Sequence, residues 1–409
     1  MTVGATELRK PSLRERAERL LSIAGPVDPI MAAVVVTLVA FGVVMVYSAS
    51  AIEATVQHKD AQYFLKRQVP FGFVGLALAW IVSRIDYRRY QKAGTTYGIL
   101  AVVVALLVAA IAGLGKTGGG ATRWLAIGPV HVQPAELAKL SIVIWLAYSL
   151  AKKGAEEMKS FAYGFLPQLI MALLLMALCL KQPDFGSAVV LLLLTFTLMF
   201  IAGAKVGYIM GALLIGSAVG AALVRFREYR WERIQAWLEM EAHRQDLAYQ
   251  PFQARMSFGS GGLFGLGLGK GLQILYLPEA HTDFVSAVVG EELGFLGIAL
   301  LCAAYVTLVV RGVRAAFKAP DDFGTYLAFG ISTLFALQVL INLAMAMSLL
   351  PTKGLALPFM SYGGSSLLVN AIAAGILLNV SRHARDGSPA KDGELTPDPP
   401  GVEVREAAS

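Results

Sequence analysis

Residues 277–295 read LPEAHTDFVSAVVGEELGF, and the fold turns on what this stretch leads into. It carries five ionisable side chains, Glu279, His281, Asp283, Glu291 and Glu292, while the next 18 residues, Leu293 to Val310, carry none. A hydrocarbon layer roughly 30 Å thick takes about 20 helical residues to cross. The acids therefore stand at the mouth of a membrane-spanning helix. Similar charge-free runs occupy Pro29–Ile52, Ala93–Gly115, Ser160–Leu180, Phe185–Ala204, Val206–Val224, Gly324–Thr352 and Gly354–Ser381. Two weaker spans, Gln68–Ser83 and Pro134–Ala151, bring the expected number to ten. Backbone in lipid must satisfy its own hydrogen bonds, so the runs are expected as helices, and a β-barrel's short alternating segments are absent.

Composition agrees. The 409 residues are 56% hydrophobic and 15% charged, with a mean hydropathy of +0.62, against about 25% charged in a soluble domain. The expected fold is all-α: a ten-helix membrane domain over 28–383 with a long loop at 225–283, a polar tail at 1–27 and a disordered tail at 384–409. The basic stretch 1–27 has no short apolar core, so no cleavable signal peptide is expected. Lys and Arg placement sets the orientation. With both termini inside, cytoplasmic segments hold twenty and the short outer loops seven, as the positive-inside rule requires. The net charge of +7 then reflects basic cytoplasmic loops and membrane lipid, with no nucleic-acid partner. Cys179 and Cys302 lie in apolar runs and have no metal-ligand spacing.

On the outer side lie 115–135, the turn KQPDFG (181–186), the long loop, and 350–366. Within the loop, Glu228–Tyr249 places Trp231, Ile234, Trp237, Leu238 and Leu247 near one face, the pattern of an interfacial helix or of one packed on the rest of the loop. FGSGGLFGLGLGKG (258–271) is no nucleotide loop, because Phe264 and Gly271 stand where GxxxxGK[ST] needs Gly and Ser or Thr. Its glycines could bind an anion or act as a hinge.

Ionisable groups inside spans are costly and mark functional sites. Glu136 and Lys139, three apart, share a helix face and can pair. Asp184 in QPDFG is either turn chemistry or part of a site. Asp283 can cap its helix or serve as a general base, its pKa raised by desolvation and lowered by a nearby cation. Arg123, Lys139 and Lys353 are the candidate cations. Glu291 and Glu292, about two turns deeper, could line a wet cavity or bond to neighbouring helix ends. His281 is expected to be structural, since no second His or Cys stands at metal spacing. Physics alone leaves two classes, a transporter with broken helices and an enzyme acting on a lipid-linked substrate.

MVYSAS (45–50), FLKRQ (64–68), RWLAIGPVHVQPAELAKLS (123–141), KQPDFGSA (181–188), LPEAHTDF with GEELGFLG (277–297), and LPFMSYGGSSLLVNAIAAGILLNVSRH ending at His383 together resemble the SEDS family of bacterial peptidoglycan polymerases, FtsW and RodA, with the division member FtsW nearer. The resemblance implies polymerisation of lipid II into β-1,4 glycan strands at the outer leaflet of the cytoplasmic membrane, with inversion and release of undecaprenyl pyrophosphate. It implies Asp283 as the catalytic acid-base residue. Arg123, Glu136, Lys139, Asp184, Lys353, Ser365 and Ser366 would contact or shape the substrate site, and His281, Glu291 and Glu292 would support it. A divalent cation, Mg²⁺ or Mn²⁺, would serve as cofactor, with no nucleotide. The implied partners are a class B penicillin-binding protein (a transpeptidase) and proteins of the division or elongation complex, at the septum. The rival readings are a lipid II flippase, an elongation-specific polymerase and a non-catalytic scaffold.

Overall fold

The computed structural model describes residues 25–118, 121–127, 130–226, 228–351 and 354–383. Both expected tails, apart from 25–27 of the first, and Lys353 lie outside the described residues. Twelve α-helices follow in chain order: α1 Pro29–His58, α2 Tyr63–Ser83, α3 Ala93–Ala109, α4 Pro134–Met158, α5 Leu166–Lys181, α6 Phe185–Ile201, α7 Val206–Arg225, α8 Glu228–Leu238, α9 Tyr249–Gly261, α10 Val285–Lys318, α11 Asp322–Ala346 and α12 Gly364–Arg382. Among the described residues eight helical segments are long and apolar enough to cross a bilayer, and two shorter apolar ones, Phe185–Ile201 and Val206–Ala222, accompany them. α4 and α12 are the most enclosed of the long helices, and α2, α3 and α10 show far more of their surface. Phe73, Trp80, Leu214, Leu300 and Phe317 are exposed, which is what lipid-facing positions require.

The expectation of a purely helical chain is corrected at 115–132. Strands β1 Gly115–Gly118, β2 Ala121–Ile127 and β3 Val130–Val132 form an antiparallel sheet in the order β1-β2-β3. Outside lipid a loop can satisfy its backbone by local pairing, and the sheet carries Arg123 and leads into α4 through Gln133.

In the outer segment 350–366 the described chain is irregular up to Gly363, and α12 begins at Gly364. Residues 355 and 357–361 are buried as irregular chain, so their polar backbone must find partners among side chains. It does. Asn342 Nδ2 donates to the Leu355 carbonyl at 2.7 Å and Tyr305 Oη to that of Pro358 at 2.5 Å. The Leu357 N–H donates to Ser361 Oγ at 2.8 Å, and the Tyr362 N–H to the His281 carbonyl at 2.8 Å. Gly42 on α1 lets this segment pass, since a Cβ there would stand 2.5 Å from the Phe359 carbonyl oxygen.

The glycine-rich stretch packs against a break in α10. α10 breaks at Gly294, whose φ of 67° is left-handed, and a break strands backbone groups. The loop supplies the missing partners. Leu266 and Gly267 N–H groups donate to the carbonyls of Glu291 and Glu292, while Phe295 and Leu296 N–H groups donate to those of Gly262 and Leu263. Only glycine permits the approach, because a Cβ on Gly265 would stand 2.1 Å from the Glu292 carbonyl oxygen. The single helix expected over Glu228–Tyr249 is also shorter, ending at Leu238. Trp237 turns onto the protein, with Nε1 donating to the Ser348 carbonyl at 2.9 Å and its ring against the cluster of Ala236, Met240 and Ala248.

Candidate active site

Asp283 lies in the turn before α10, outside the spanning helix. Its N–H donates to the Glu279 carbonyl, and its own carbonyl accepts from Asn342 Nδ2 at 3.0 Å. Asn342 is fixed in turn by Ser286, whose hydroxyl donates to Asn342 Oδ1 at 3.0 Å. α11 thereby clamps the Asp283 backbone, and among the described residues no group donates to its carboxylate. Gly354 backs onto that carboxylate, since a Cβ there would stand 2.8 Å from Oδ2. Burial pushes the Asp283 pKa up from 3.8 to about 6, the negative charges of Glu279 and Asp184 add to the rise, and Arg123 opposes it. The result is a fixed carboxylate with free lone pairs and a basicity suited to work near neutral pH.

Arg123, on β2, is held by the turn between α5 and α6: Nε donates to the Gln182 carbonyl at 3.0 Å and Nη2 to that of Pro183 at 2.6 Å. Asp184, in the same turn, caps α6 by accepting from the Ser187 N–H at 3.1 Å. Its other oxygen accepts from Gln133 Nε2 at 3.3 Å, and the Gln133 N–H donates to Ser365 Oγ at 3.3 Å. Gln133 thus joins the α5–α6 turn to the start of α12. It lay inside a motif read for its charges, and a neutral amide carries no hydropathy or titration signal. Ser365 and Ser366 are both buried: Ser365 Oγ takes the Gln133 N–H, and Ser366 Oγ accepts from Asn370 Nδ2 one turn on in α12.

The other expected residues have partners of their own. Glu136 and Lys139 pair at 2.8 Å on the first turns of α4 with side chains 5% and 1% exposed, and Glu136 Oε2 has no partner. Lys139 is therefore committed inside the bundle. Glu291 Oε1 accepts from the Leu272 and Gln273 N–H groups at 2.7 and 2.9 Å, fixing the start of the 3₁₀ turn Gln273–Leu275. Glu292 accepts from Ser48 Oγ of α1 at 2.6 Å. Both acids hold the broken α10 against its loop and α1. His281 is buried against Phe64 and Tyr362, with Nδ1 3.4 Å from Glu53 Oε2. Its burial lowers its pKa against the pull of Glu53 and Glu279, so it stands as a neutral wall of the site.

Among the described residues no three of His, Cys, Asp and Glu come together as a metal-ligand set. Asp283, Asp184 and Glu279 influence one another electrostatically, but a caged metal does not fit them.

These features define a multi-pass membrane protein with a recessed carboxylate, flanked by an arginine, at one face of a helical bundle. Residues 29–386 match the family model described as cell cycle protein, FtsW/RodA/SpoVE, and the chain belongs to that family. It is 44% identical over 363 residues to a probable peptidoglycan glycosyltransferase FtsW of Geobacter metallireducens, covering 88% of this chain and 96% of the relative. It is 36% identical to stage V sporulation protein E of Bacillus subtilis, covering 88% and 98%. Among solved structures it is similar to a chain of a peptidoglycan synthase complex that coordinates polymerization and crosslinking, with a TM-score of 0.72, 28% identity and coverage of 87% and 98%. The rod shape determining protein RodA of Thermus thermophilus gives 0.66 and 29%, covering 88% and 98%.

Proposed function

We propose that the chain is a peptidoglycan glycosyltransferase that polymerises lipid II into β-1,4 glycan strands at the outer face of the bacterial cytoplasmic membrane, in septal synthesis during cell division. Relatives named FtsW over most of the chain support it. The single observation that carries the catalytic assignment is the Asp283 carboxylate, fixed by its backbone, without a donor among the described residues and raised to about 6.

Asp283 takes the proton of the acceptor sugar's 4-hydroxyl as that oxygen attacks the donor's anomeric carbon from the opposite side. The bond from that carbon to the pyrophosphate breaks, and undecaprenyl pyrophosphate leaves with the electron pair. Arg123 is the cation placed to stabilise the growing negative charge, a large contribution in a site that excludes water, and Lys353 is proposed to join it. Lys139, paired with Glu136, acts by holding α4 in place, and Asp184 by shaping the pocket. Mg²⁺ or Mn²⁺ would be shared between substrate phosphates and one or two carboxylates, as small hard cations usually bind; no step above passes through it.

The proposed architecture is ten crossings over 28–383 with both tails cytoplasmic, so that the sheet, the α5–α6 turn and Asp283 face outward. The proposed partners are a class B penicillin-binding protein and division proteins. Purified protein carrying Asp283→Asn, given lipid II, should lose glycan synthesis by about 10²- to 10⁴-fold on gel-resolved strands. Polymerisation at the wild-type rate would sink the assignment.

A further inference from the structure

The opposite end of the bundle holds a cavity of about 350 Å³ lined by Arg88, Gln91, Lys92, Tyr148, Ala151 and Lys152. Tyr148 and Lys152 lie roughly 21–27 Å along α4 from Pro134, at about 1.5 Å per residue, so the cavity and Asp283 sit on opposite membrane faces. Three cations line it. Arg88 is partly neutralised, since Nε meets Asp321 at 3.3 Å and Asp86 lies nearby. Lys92 and Lys152 have no side-chain partner among the described residues, and both are exposed. Lys92 is also the N-cap of the 17-residue α3, which has no side-chain cap bond. That end carries the positive pole of the helix and unfilled N–H groups.

We propose that this cavity binds a phosphate oxyanion, supplied as the headgroup of an anionic phospholipid. Two observations favour lipid over a soluble source. The cavity opens at the level where α3 enters the bilayer, and the exposed face of α3 continues from it as Tyr97, Ala101, Ala105 and Val108, a surface on which an acyl chain can lie. Tyr148, with its ring edge-on to Tyr97 at 5.9 Å, supplies the aromatic wall found at headgroup depth. Lysines on flexible stems suit such a phosphate as point charges, and basic pockets between helices on a cytoplasmic face bind anionic headgroups.

The test uses the purified full chain in detergent, titrated with phosphatidylglycerol or phosphatidylcholine, with bound lipid counted by native mass spectrometry. Parallel titrations use inorganic phosphate, followed by phosphorus NMR, and polyglutamate. Wild type should retain phosphatidylglycerol in preference to phosphatidylcholine. The variant K92Q/K152Q should weaken that retention about 25-fold, two charges at roughly fivefold each, and K92R/K152R should keep it. Melting temperature checks that both variants fold. Phosphate binding without lipid preference, lost in K92Q/K152Q, would support the oxyanion site and place its source in solution. Equal retention of the two lipids with no phosphate response, undiminished retention in K92Q/K152Q, or binding of polyglutamate alone would overturn the proposal.

Discussion

Because Asp283 titrates near 6, the proposed reaction should have an acid limb set by its neighbours. Moving a carboxyl from 3.8 to about 6 costs its charged form about 3 kcal/mol. The raised value means that the folded protein holds this proton more tightly than the unfolded chain. The base form is therefore lost as pH falls through 6, while folding gains nothing from this group above that pH. A single base of that pKa is about nine-tenths ionised at pH 7, half at pH 6 and one-tenth at pH 5. Initial rates of lipid II polymerisation should follow those fractions. Two substitutions then move the limb in opposite directions. Glu279→Gln removes the charge that most raises the pKa after burial, so its limb should shift to lower pH. Arg123→Gln removes a lowering influence, so its limb should shift to higher pH. Arg123→Lys keeps the charge but loses the two-carbonyl grip on the α5–α6 turn, so its plateau rate should fall while its limb stays near wild type. A limb near pH 4 in wild type, or shifts of the same sign in Glu279→Gln and Arg123→Gln, would refute the assignment of the limb to Asp283.

Two further outcomes test the frame. Glu136→Gln or Lys139→Met alone leaves one buried charge unpaired and should cost about 3–5 kcal/mol, read as a lower melting temperature in detergent, whereas the double substitution should recover most of it. At Gly294, alanine would force a side chain into left-handed backbone and put its Cβ 2.4 Å from the Gly265 nitrogen. About 1–2 kcal/mol of conformational cost plus about 1–3 of overpacking should appear as a lower melting temperature, and an unchanged one would show that the loop does not clamp the break.

The helical frame was legible because charge-free runs of the right length have one solution in lipid. It failed where length and apolarity do not decide conformation. Gly354–Gly363 is charge-free yet lies in the outer segment 350–366, where the partners Asn342, Tyr305 and Ser361 let it run largely buried without being helical. The sheet at 115–132 escaped notice because its strands are three to seven residues long and pair only with each other. Asp283 was legible because an acid beside an oily run is costly, and Asp184's position in a turn showed for the same reason. Gln133 was not legible, because a neutral amide joining two loops leaves no mark on charge or hydropathy. The Glu136–Lys139 pair was legible from its three-residue spacing on one helix face, and the structure closes it at 2.8 Å.

The residues nearest the proposed chemistry belong to no long helix. Arg123 rides on a strand, Asp184 on a turn, Asp283 on the lead-in to α10, and Gly354 at the exposed start of an irregular segment. Helices in lipid satisfy their backbones internally and so cannot aim main-chain groups or short side chains at one point. Irregular chain can, but at membrane depth every freed N–H and C=O needs a partner. The buried amides and hydroxyls of this protein are spent on that requirement: Asn342 serves both Asp283 and Leu355, Tyr305 serves Pro358, and the glycine-rich loop serves the break in α10. Asn342 ties the two requirements together. Its amide holds the Asp283 carbonyl and the Leu355 carbonyl at once, one residue past Gly354 at the back of the carboxylate, so the base and the segment behind it can move only together.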